Sequence, residues 1–461
     1  MKSQLSRLGR QLEQLAYRSL DQHLRVGITG LSGAGKTAFV TSLVHQLLHA
    51  DAGQLPMWEV VQQGRLLGAA RQPQPDLALL PFDYDAAIGG LCQSEPQWPP
   101  STRGISEIRL ALRYVPAKGL KRQLADHLTL YLDLVDYPGE WLLDLPLLGM
   151  DFASWSQQQW QILAEAPWAE RAQPWLDQIV AHTSEARALD DSSLGVLATE
   201  YGELLKTLRR ELSATYLQPG RALLPGELAG TPILAFFPLP PEALASPLAQ
   251  RLASRYQAYV QQVVKPFYRQ HFARFDRQIV LLDALGALDQ GHAQCLQMAQ
   301  SVQAIMQSFQ YGPGSLLRRL INPRIDKLLF VASKADHITV DQHTNLLALT
   351  DSLTGEIGRR ARFMGGRVET MVLSAIRASQ QGQVDPGSGV VPVIRGRDSA
   401  GTPVTRFPGE VPRTLPQPEF WQRQGFAFGA LAPPALPDPH APLPHMRMDH
   451  LLEWLLGDKM R

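Results

Sequence analysis

Hydrophobic residues along the chain are grouped into short runs that predict the strands of a mostly parallel β-sheet. Four apolar runs, flanked by glycine, proline or polar residues, lie in segments 24–30, 278–286, 326–338 and 367–379. Residues 106–114 alternate polar and apolar side chains, and a further apolar run in 127–141 follows after a turn-like stretch. This last pair predicts an antiparallel hairpin within the sheet.

Apolar residues recur at intervals of three and four elsewhere, which predicts helices. The pattern marks an amphipathic N-terminal helix at 1–23, several helices within 142–276 and a closing helix at 448–460. Because 142–276 is far longer than a loop between two strands requires, we expect an inserted helical domain there. The α/β domain then comprises 24–141 and 277–461, and it includes a β-hairpin at 390–407.

Tryptophans are concentrated in or directly before this insert. Five of the nine in the chain are Trp141, Trp155, Trp160, Trp168 and Trp175. We interpret them as the core of the insert and its contact with the α/β domain. A surface for a partner or a membrane interface is the alternative.

Composition narrows the function classes. The 461 residues carry 44 Lys and Arg against 43 Asp and Glu, a net charge of +1 that excludes a bulk nucleic-acid binder. Cys92 and Cys295 are the two cysteines, too few for a disulfide framework or a cysteine-based zinc site. Charges interrupt segment 1–23 every few residues, so we expect no transmembrane segment and a cytoplasmic protein. Peripheral contact of the amphipathic first helix with the inner membrane is the alternative to packing on its own domain.

The strongest chemical signal lies between the first strand and the helix that follows it. Residues 30–37 read G-x-x-x-x-G-K-T, and the strand–loop–helix context is the one a P-loop requires. Such a loop directs backbone N–H groups at phosphate oxygens, the lysine reaches the β- and γ-phosphates, and the threonine ligates Mg²⁺. The predicted phosphate-binding residues are Ser32, Gly33, Ala34, Gly35, Lys36, Thr37 and Ala38.

A P-loop needs an acid for its metal, usually at the end of a neighbouring strand. Asp136 and Asp283 both end apolar runs and both begin a D-x-x-G pattern. Asp136 follows the antiparallel hairpin, which resembles the β2–β3 arrangement of Ras-like GTPases, so we assign Asp136 to the metal. Asp283 is then expected to cap the end of its strand.

Later segments extend the resemblance to Ras-like GTPases. Ser333, Lys334, Asp336 and His337 follow an apolar strand and are similar to the N/T-K-x-D element, with serine in place of asparagine. A carboxylate there accepts hydrogen bonds from N1–H and the exocyclic amine of guanine, whereas adenine lacks this donor pair. Serine cannot make every contact of an asparagine amide, which weakens the guanine selectivity expected. After the next strand, backbone N–H groups of Ser374, Ala375 and Ile376 are expected to meet guanine O6.

Residues near the γ-phosphate follow from the same resemblance. Segment 51–104 is Pro-rich and is expected to be irregular; just before the hairpin, Thr102, with Ser101 as alternative, is assigned to Mg²⁺. Arg103 is either an arginine finger in cis or a solvated loop residue. The Gly139 amide is expected to sense the γ-phosphate. Glu140 stands where Ras relatives have a water-orienting glutamine, so we expect slow hydrolysis.

Three segments together carry a closer resemblance. Residues 26–48, 132–148 and 333–337 are similar to the YcjX-like stress-protein family of Ras-like GTP-binding proteins. The resemblance implies a Ras-like P-loop GTPase domain with a helical insert, Mg²⁺ and GTP or GDP as ligands, and a switch in the bacterial envelope or phage-shock response. It also implies a YcjF-type membrane protein as partner. A P-loop ATPase or kinase, and a GTP-binding scaffold with negligible turnover, are the alternatives.

Overall fold

A computed structural model describes residues 22–461 with interruptions. The positions outside the description are 1–21, 31–32, 52, 101–103, 118–121, 124, 185–188, 213–216, 309–324, 364, 388, 424 and 427. The predicted helix at 1–23 therefore lies almost wholly outside the described residues. Its last two positions, Gln22 and His23, belong to the first strand.

The core of the described chain is one large mixed sheet and one small sheet. The strands are β1 Gln22–Gly30, β2 Leu66–Gln72, β3 Leu80–Pro81, β4 Ser106–Tyr114, β5 Leu128–Asp136, β6 Arg277–Leu282, β7 Lys327–Ala332, β8 Arg367–Val372, β9 Gln380–Val384, β10 Val391–Arg397 and β11 Pro403–Arg406. The large sheet has the order β2-β4-β5-β1-β6-β7-β8, with the short β3 beside β4. The small sheet has the order β11-β10-β9.

Strand direction brings the motif-bearing ends together. Strands β5, β1, β6, β7 and β8 are mutually parallel, and β4 is antiparallel to β5. The predicted α/β fold, with a mainly parallel sheet and an antiparallel hairpin, is confirmed. Because parallel strands share a carboxyl edge, the loops after β1, β5, β6, β7 and β8 all open on one edge of the sheet.

The prediction that 51–104 is irregular is wrong. This segment contains β2, β3 and two helices, and β2 extends the sheet by pairing antiparallel to β4. The side chains of β2 are exposed or half-buried on both faces. A strand of this kind has no alternation of apolar and polar residues, which is why the sequence pattern did not reveal it.

The helices cover both faces of the large sheet and fill the region between β5 and β6. They are α1 Lys36–Leu48, α2 Glu59–Gln62, α3 Tyr84–Leu91, α4 Phe152–Ala164, α5 Ala169–Ser184, α6 Asp191–Leu212, α7 Gly220–Leu223, α8 Pro247–Tyr259, α9 Lys265–Gln270, α10 Ala284–Gln290, α11 His292–Ser308, α12 His343–Phe363, α13 Phe420–Arg423 and α14 Met448–Leu456. A 3-10 helix, Gly139–Gly149, directly follows β5. Among the described helices, none combines the length and the apolar character needed to cross a bilayer.

Three apolar clusters connect these layers. One lies between the sheet and helices α1 and α14, and it includes Val26, Phe39 and Leu452. A second covers the opposite face around β6, β7 and α10. The third contains the helices of 142–276 and also Val135, Tyr137 and Trp141, which belong to β5 and the segment after it. The helices between β5 and β6 therefore share one core with the end of β5.

The C-terminal part carries the predicted hairpin and closing helix. Strands β10 and β11 pair antiparallel within 390–407, and α14 continues as a 3-10 helix at Gly457–Lys459. Strand β9, which the sequence did not reveal, pairs with the other side of β10. It is rich in glutamine and mostly exposed, so it has no apolar pattern.

Candidate nucleotide-binding site

A cleft of about 650 Å³ lies at the carboxyl edge of the large sheet. Its volume is typical of a site for a small molecule or cofactor. Four of the segments singled out in the sequence line it: Gly33–Ala38, Glu140, Ser333–His337 except Ala335, and Ser374–Ile376. The first and last of these segments are more than 300 residues apart along the chain, so the fold brings them to one place.

The loop between β1 and α1 has the backbone shape that the glycine pattern predicts. Gly33 has φ 86° and Gly35 has φ 79°, values that favour glycine. Helix α1 starts at Lys36, and its first helical bond runs from Phe39 N–H to the Gly35 carbonyl at 2.9 Å. The N–H groups before Phe39 thus lie at a helix N-terminus, where an anion is favoured. Ser32 lies outside the described residues.

Lys36 is the cation of this loop. Its side chain is nearly buried, and Nζ donates a 2.8 Å hydrogen bond to the Gly30 carbonyl. A Cβ on Gly30 would lie 2.6 Å from the Leu281 carbonyl, so only glycine fits between β1 and β6 there. The loop therefore leaves β1 close against β6, and it holds the Lys36 ammonium beneath the curled backbone.

Asp136 ends β5 beside the phosphate loop. It is 1% exposed and pairs in register with Ile28 of β1. The next residue, Tyr137, donates its N–H to the Ile28 carbonyl at 3.2 Å, which continues the contact between the two strands. Asp136 on β5 thus lies beside Ile28 of β1, two residues before Gly30, where the phosphate loop begins.

Asp283, the second acid considered, caps a helix. Its Oδ1 accepts a 3.0 Å bond from the Gly286 N–H at the start of α10. Its Oδ2 accepts a 2.5 Å bond from Lys334 Nζ. Asp283 thus follows the end of β6, as expected, but it caps the helix α10 that starts there, and its pairing with Lys334 ties β6 to the segment after β7.

Residues after β7 form a tight turn with a buried carboxylate. Lys334 adopts a left-handed conformation, φ 60°, which a non-glycine residue rarely takes and which often marks a functional turn. Asp336 is 1% exposed, and its Oδ2 accepts N–H bonds from Ala378 at 2.7 Å and from Ser379 at 3.2 Å. Ser333 donates its hydroxyl to the Leu282 carbonyl at 3.2 Å. The serine side chain is thus directed to β6.

The segment after β8 is fixed from two sides. Ser374 donates its N–H to the Met446 carbonyl at 3.1 Å, and Met446 donates in return at 2.8 Å. The Ala375 carbonyl accepts a 2.5 Å bond from the Ser42 hydroxyl of α1. Because the Ser374 N–H is already engaged, contact with a base would fall to the amides after it.

Glu140 also lines the cleft, as the second residue of the 3-10 helix. It is 2% exposed and forms an ion pair with Arg209 of α6. Burial raises the pKa of Glu140, but the positive charges of Arg209 and Lys36 outweigh it and leave the pKa below its ordinary value. Glu140 is therefore an ionised carboxylate between two cations.

The same 3-10 helix is bound to the helices of 142–276 through Asp144. Its Oδ1 accepts the Gly220 N–H at 2.7 Å, and its Oδ2 accepts the Arg221 N–H at 3.2 Å and the Tyr259 hydroxyl at 2.5 Å. Complete burial raises the pKa of Asp144 to about 6, against the opposing effect of these hydrogen bonds. Trp141 adds a 3.1 Å bond from its indole N–H to the Leu224 carbonyl.

Several lining residues were not predicted from the sequence. They are Trp98, Pro99, Leu224, Pro225, Gly226, Ala430 and Leu431. Trp98 donates its indole N–H to the Leu431 carbonyl at 2.8 Å, which joins two distant segments into one wall. These residues contribute apolar surface and backbone rather than a motif, so a sequence pattern offers no signal for them. Ser101, Thr102 and Arg103, singled out near the γ-phosphate, lie outside the described residues.

Comparison with known proteins agrees with this arrangement. The YcjX-like family, DUF463, matches residues 24–460. A protein of Shewanella oneidensis named Ras-like GTPase YcjX is 47% identical over an alignment of 481 positions, which covers 99% of this chain and 98% of the relative. A protein of Escherichia coli with the same name is 44% identical over 475 residues, covering 99% of this chain and 100% of the relative. Since the match extends over nearly the whole chain and its relatives are this similar, the chain belongs to the YcjX-like family.

Proposed function

We propose that this chain is a Mg²⁺-dependent GTP-binding protein that hydrolyses GTP slowly. One observation carries the proposal: the phosphate loop after β1 and the buried Asp336 after β7 line the same cleft. A ligand that satisfies both ends must join phosphates to a base with two adjacent donors, which describes a guanine nucleotide. The names of the two relatives support the same assignment.

The phosphates would be held by the loop before α1. Lys36 would exchange its bond to the Gly30 carbonyl for oxygens of the β- and γ-phosphates. Backbone N–H groups from Ser32 to Ala38 would surround the same oxygens, with the N-terminus of α1 behind them.

Thr37 and Asp136 fit a Mg²⁺ ion, because hydroxyl and carboxylate oxygens are ligands that this ion prefers. Thr37 would bind it directly, and Asp136, buried at the end of β5, would hold a water of its shell. Thr102, or Ser101 in its place, would supply the second hydroxyl. When bound, the ion neutralises charge on the β- and γ-phosphates.

Asp336 would select the base. Its buried carboxylate would accept N1–H and the exocyclic amine of guanine, whereas adenine offers no such pair of donors. His337 lines the same end of the cleft and would pack beside the base, as would the stem of Lys334. The amides of Ala375 and Ile376 would meet guanine O6, and Ser374 would orient them.

Hydrolysis would depend on positioning of water near Gly139 and Glu140. The Gly139 amide would contact the γ-phosphate, and Glu140 would stand where a glutamine orients the attacking water. A carboxylate paired with Arg209 must first be released before it can orient water, which supports slow turnover. A scaffold that binds GTP with negligible turnover is the second candidate, and the same ion pair favours it.

The cellular role follows from the family resemblance. We propose a nucleotide-dependent switch in a bacterial envelope or phage-shock-type stress response, cytoplasmic and in peripheral contact with the inner membrane. A YcjF-type membrane protein is the proposed partner, and nucleic acid is not. The helices of 142–276 are proposed as an inserted domain that reads the nucleotide state, because they share a core with the 3-10 helix after β5.

Nucleotide affinity with Mg²⁺ tests the proposal. We expect GTP and GDP to bind at least about 100-fold more tightly than ATP, a difference of roughly 3 kcal/mol. Asp336→Asn should erase this preference and favour xanthosine nucleotides, because xanthine carries a carbonyl acceptor where guanine has an amine. Lys36→Ala should weaken the binding of all nucleoside triphosphates to a similar extent.

Equal binding of ATP and GTP, unchanged in Asp336→Asn, would refute the guanine assignment and leave a P-loop ATPase. Release of phosphate from GTP then separates a slow enzyme from a scaffold. A wild-type rate no higher than that of Lys36→Ala would establish the scaffold.

A further inference from the structure

An arginine of the helical region is held next to the phosphate end of the cleft. Arg209 lies near the C-terminal end of α6, and its guanidinium forms the ion pair with Glu140. Its side chain is 23% exposed, whereas that of its neighbour Arg210 is 72% exposed and pairs with Glu211. Two adjacent arginines of one helix thus face different environments, and one of them pairs with a residue that lines the cleft.

Charge balance explains what holds Arg209 there and what would release it. Glu140 is nearly buried, lines the cleft and feels the positive charges of both Arg209 and Lys36. A bound triphosphate would bring several negative charges to Lys36, close to the Glu140 carboxylate. Like charges at this distance in a poorly solvated site repel strongly. The guanidinium of Arg209 would then gain more from a phosphate oxygen than from Glu140.

We propose that Arg209 is the arginine that stabilises the transferring phosphoryl group, supplied in cis by the helical region. This inference rests on the proposed GTPase activity and goes beyond it, because it assigns a catalytic residue outside every sequence motif. Before nucleotide binds, Glu140 holds the guanidinium of Arg209. When the triphosphate binds, the guanidinium leaves Glu140 and contacts the γ-phosphate.

The chemical step itself is ordinary hydrolysis. The oxygen of a water molecule forms a bond to the γ-phosphorus, and the bond from that phosphorus to the bridging oxygen of GDP breaks. One water proton stays on the released phosphate and the other goes to solvent, so the products are GDP, hydrogen phosphate and a proton. Arg209 forms no covalent bond; its N–H groups donate to the oxygens on which charge develops.

Contacts other than the Arg209–Glu140 ion pair hold the end of α6 and the start of α7 in place. The backbone of Gly220, at the start of α7, lies against the Glu140 carbonyl. The carbonyl of Leu212, at the end of α6, accepts a 3.1 Å bond from Gln297 of α11. The end of α6 is held by this bond and by the buried Leu205 and Leu208, none of which involves Arg209, so a variant at Arg209 leaves its helix in place.

Three variants test the proposal: Arg209→Gln, Arg209→Lys and, as a matched control, Arg210→Gln. Glutamine keeps a donor for Glu140 without the charge, and the control removes the same charge one position away. We measure single-turnover phosphate release from GTP, GDP affinity, and binding of GDP with aluminium fluoride, which imitates the transferring phosphoryl group. Expected for Arg209→Gln are a rate at least about 100-fold lower and loss of the aluminium fluoride complex. The GDP affinity of Arg209→Gln should stay within about threefold of wild type. The rate and the GDP affinity of the control, Arg210→Gln, should stay within the same range.

Arg209→Lys should recover part of the rate, because a lysine supplies charge but not the planar pair of donors. A wild-type or faster rate in Arg209→Gln would overturn the proposal, since Arg209 would then only hold Glu140. A rate loss matched by an equal loss of GDP affinity would also overturn it, because the residue would then act on the fold. Failure of wild-type protein to bind any guanine nucleotide would instead refute the proposed function.

Discussion

Gly220 packs closely against the segment that carries Glu140. A Cβ at this position would lie 1.9 Å from the Glu140 carbonyl oxygen and 3.4 Å from Asp144 Oδ2. Gly220 is helical and lies outside the left-handed region, so alanine meets no backbone penalty there. We therefore expect Gly220→Ala to act through steric overlap alone.

The size of the effect follows from these distances. Ordinary contacts of a Cβ begin near 3.4 Å, so the two backbones must separate by about 1.5 Å. Overpacking of this kind costs roughly 1–3 kcal/mol. The same displacement stretches the two N–H bonds to the buried Asp144, which adds about 1 kcal/mol for each. We expect the free energy of unfolding to fall by roughly 3–5 kcal/mol.

Urea unfolding followed by tryptophan fluorescence measures this change, because Trp141 and Trp155 are buried in the affected core. Gly195→Ala is the matched control: Gly195 lies inside α6 with no atom within 4 Å of its missing Cβ. Alanine should stabilise that helix by up to about 1 kcal/mol. If Gly220→Ala were as stable as wild type, the close packing of α7 on Glu140 would be wrong.

Two further predictions concern Asp144 and Trp98. Since the pKa of Asp144 is about 6 when folded and 3.8 in the unfolded reference, the folded state binds the proton more tightly. Asp144 should therefore lower the free energy of unfolding by roughly 2 kcal/mol as the pH rises from 4 to 6. This dependence of the free energy of unfolding on pH should be absent in Asp144→Asn. Urea unfolding at several pH values measures it, and an equal dependence in both proteins would contradict the prediction. Trp98→Phe removes the indole N–H bond to the Leu431 carbonyl, worth about 1 kcal/mol, so nucleotide dissociation should accelerate several-fold. An unchanged dissociation rate in stopped-flow measurements would show that this wall does not retain the ligand.

The sequence predicted the elements whose function requires a local pattern. Strand β1, the glycine loop and α1 are contiguous, and their spacing alone places Lys36 at the helix start. The strand that precedes Ser333 is buried at every position and is an almost unbroken apolar run, whereas the strand that ends at Asp136 begins with alternating buried and half-buried positions. For these parts, local chemistry and tertiary position agree.

Other parts depend on contacts between distant residues. Glu140 and Arg209 are 69 positions apart, and nothing around Arg209 distinguishes it from Arg210 in the sequence. Strands β2 and β9 are exposed, and they form because β4 and β10 offer unpaired edges. Trp98 and Leu431 meet through a backbone carbonyl, a group that every residue carries. Only the folded arrangement distinguishes such positions.

The wide separation in sequence of the residues lining the cleft has a consequence for protein synthesis. Lys36 emerges from the ribosome early, whereas Ala430 and Leu431, which line the same cleft, follow almost 400 residues later. At about 5–20 residues per second, the phosphate loop exists for roughly 20–80 s before its cleft can close. A nascent or prematurely terminated chain therefore displays an intact phosphate-binding motif without the wall that would enclose a ligand.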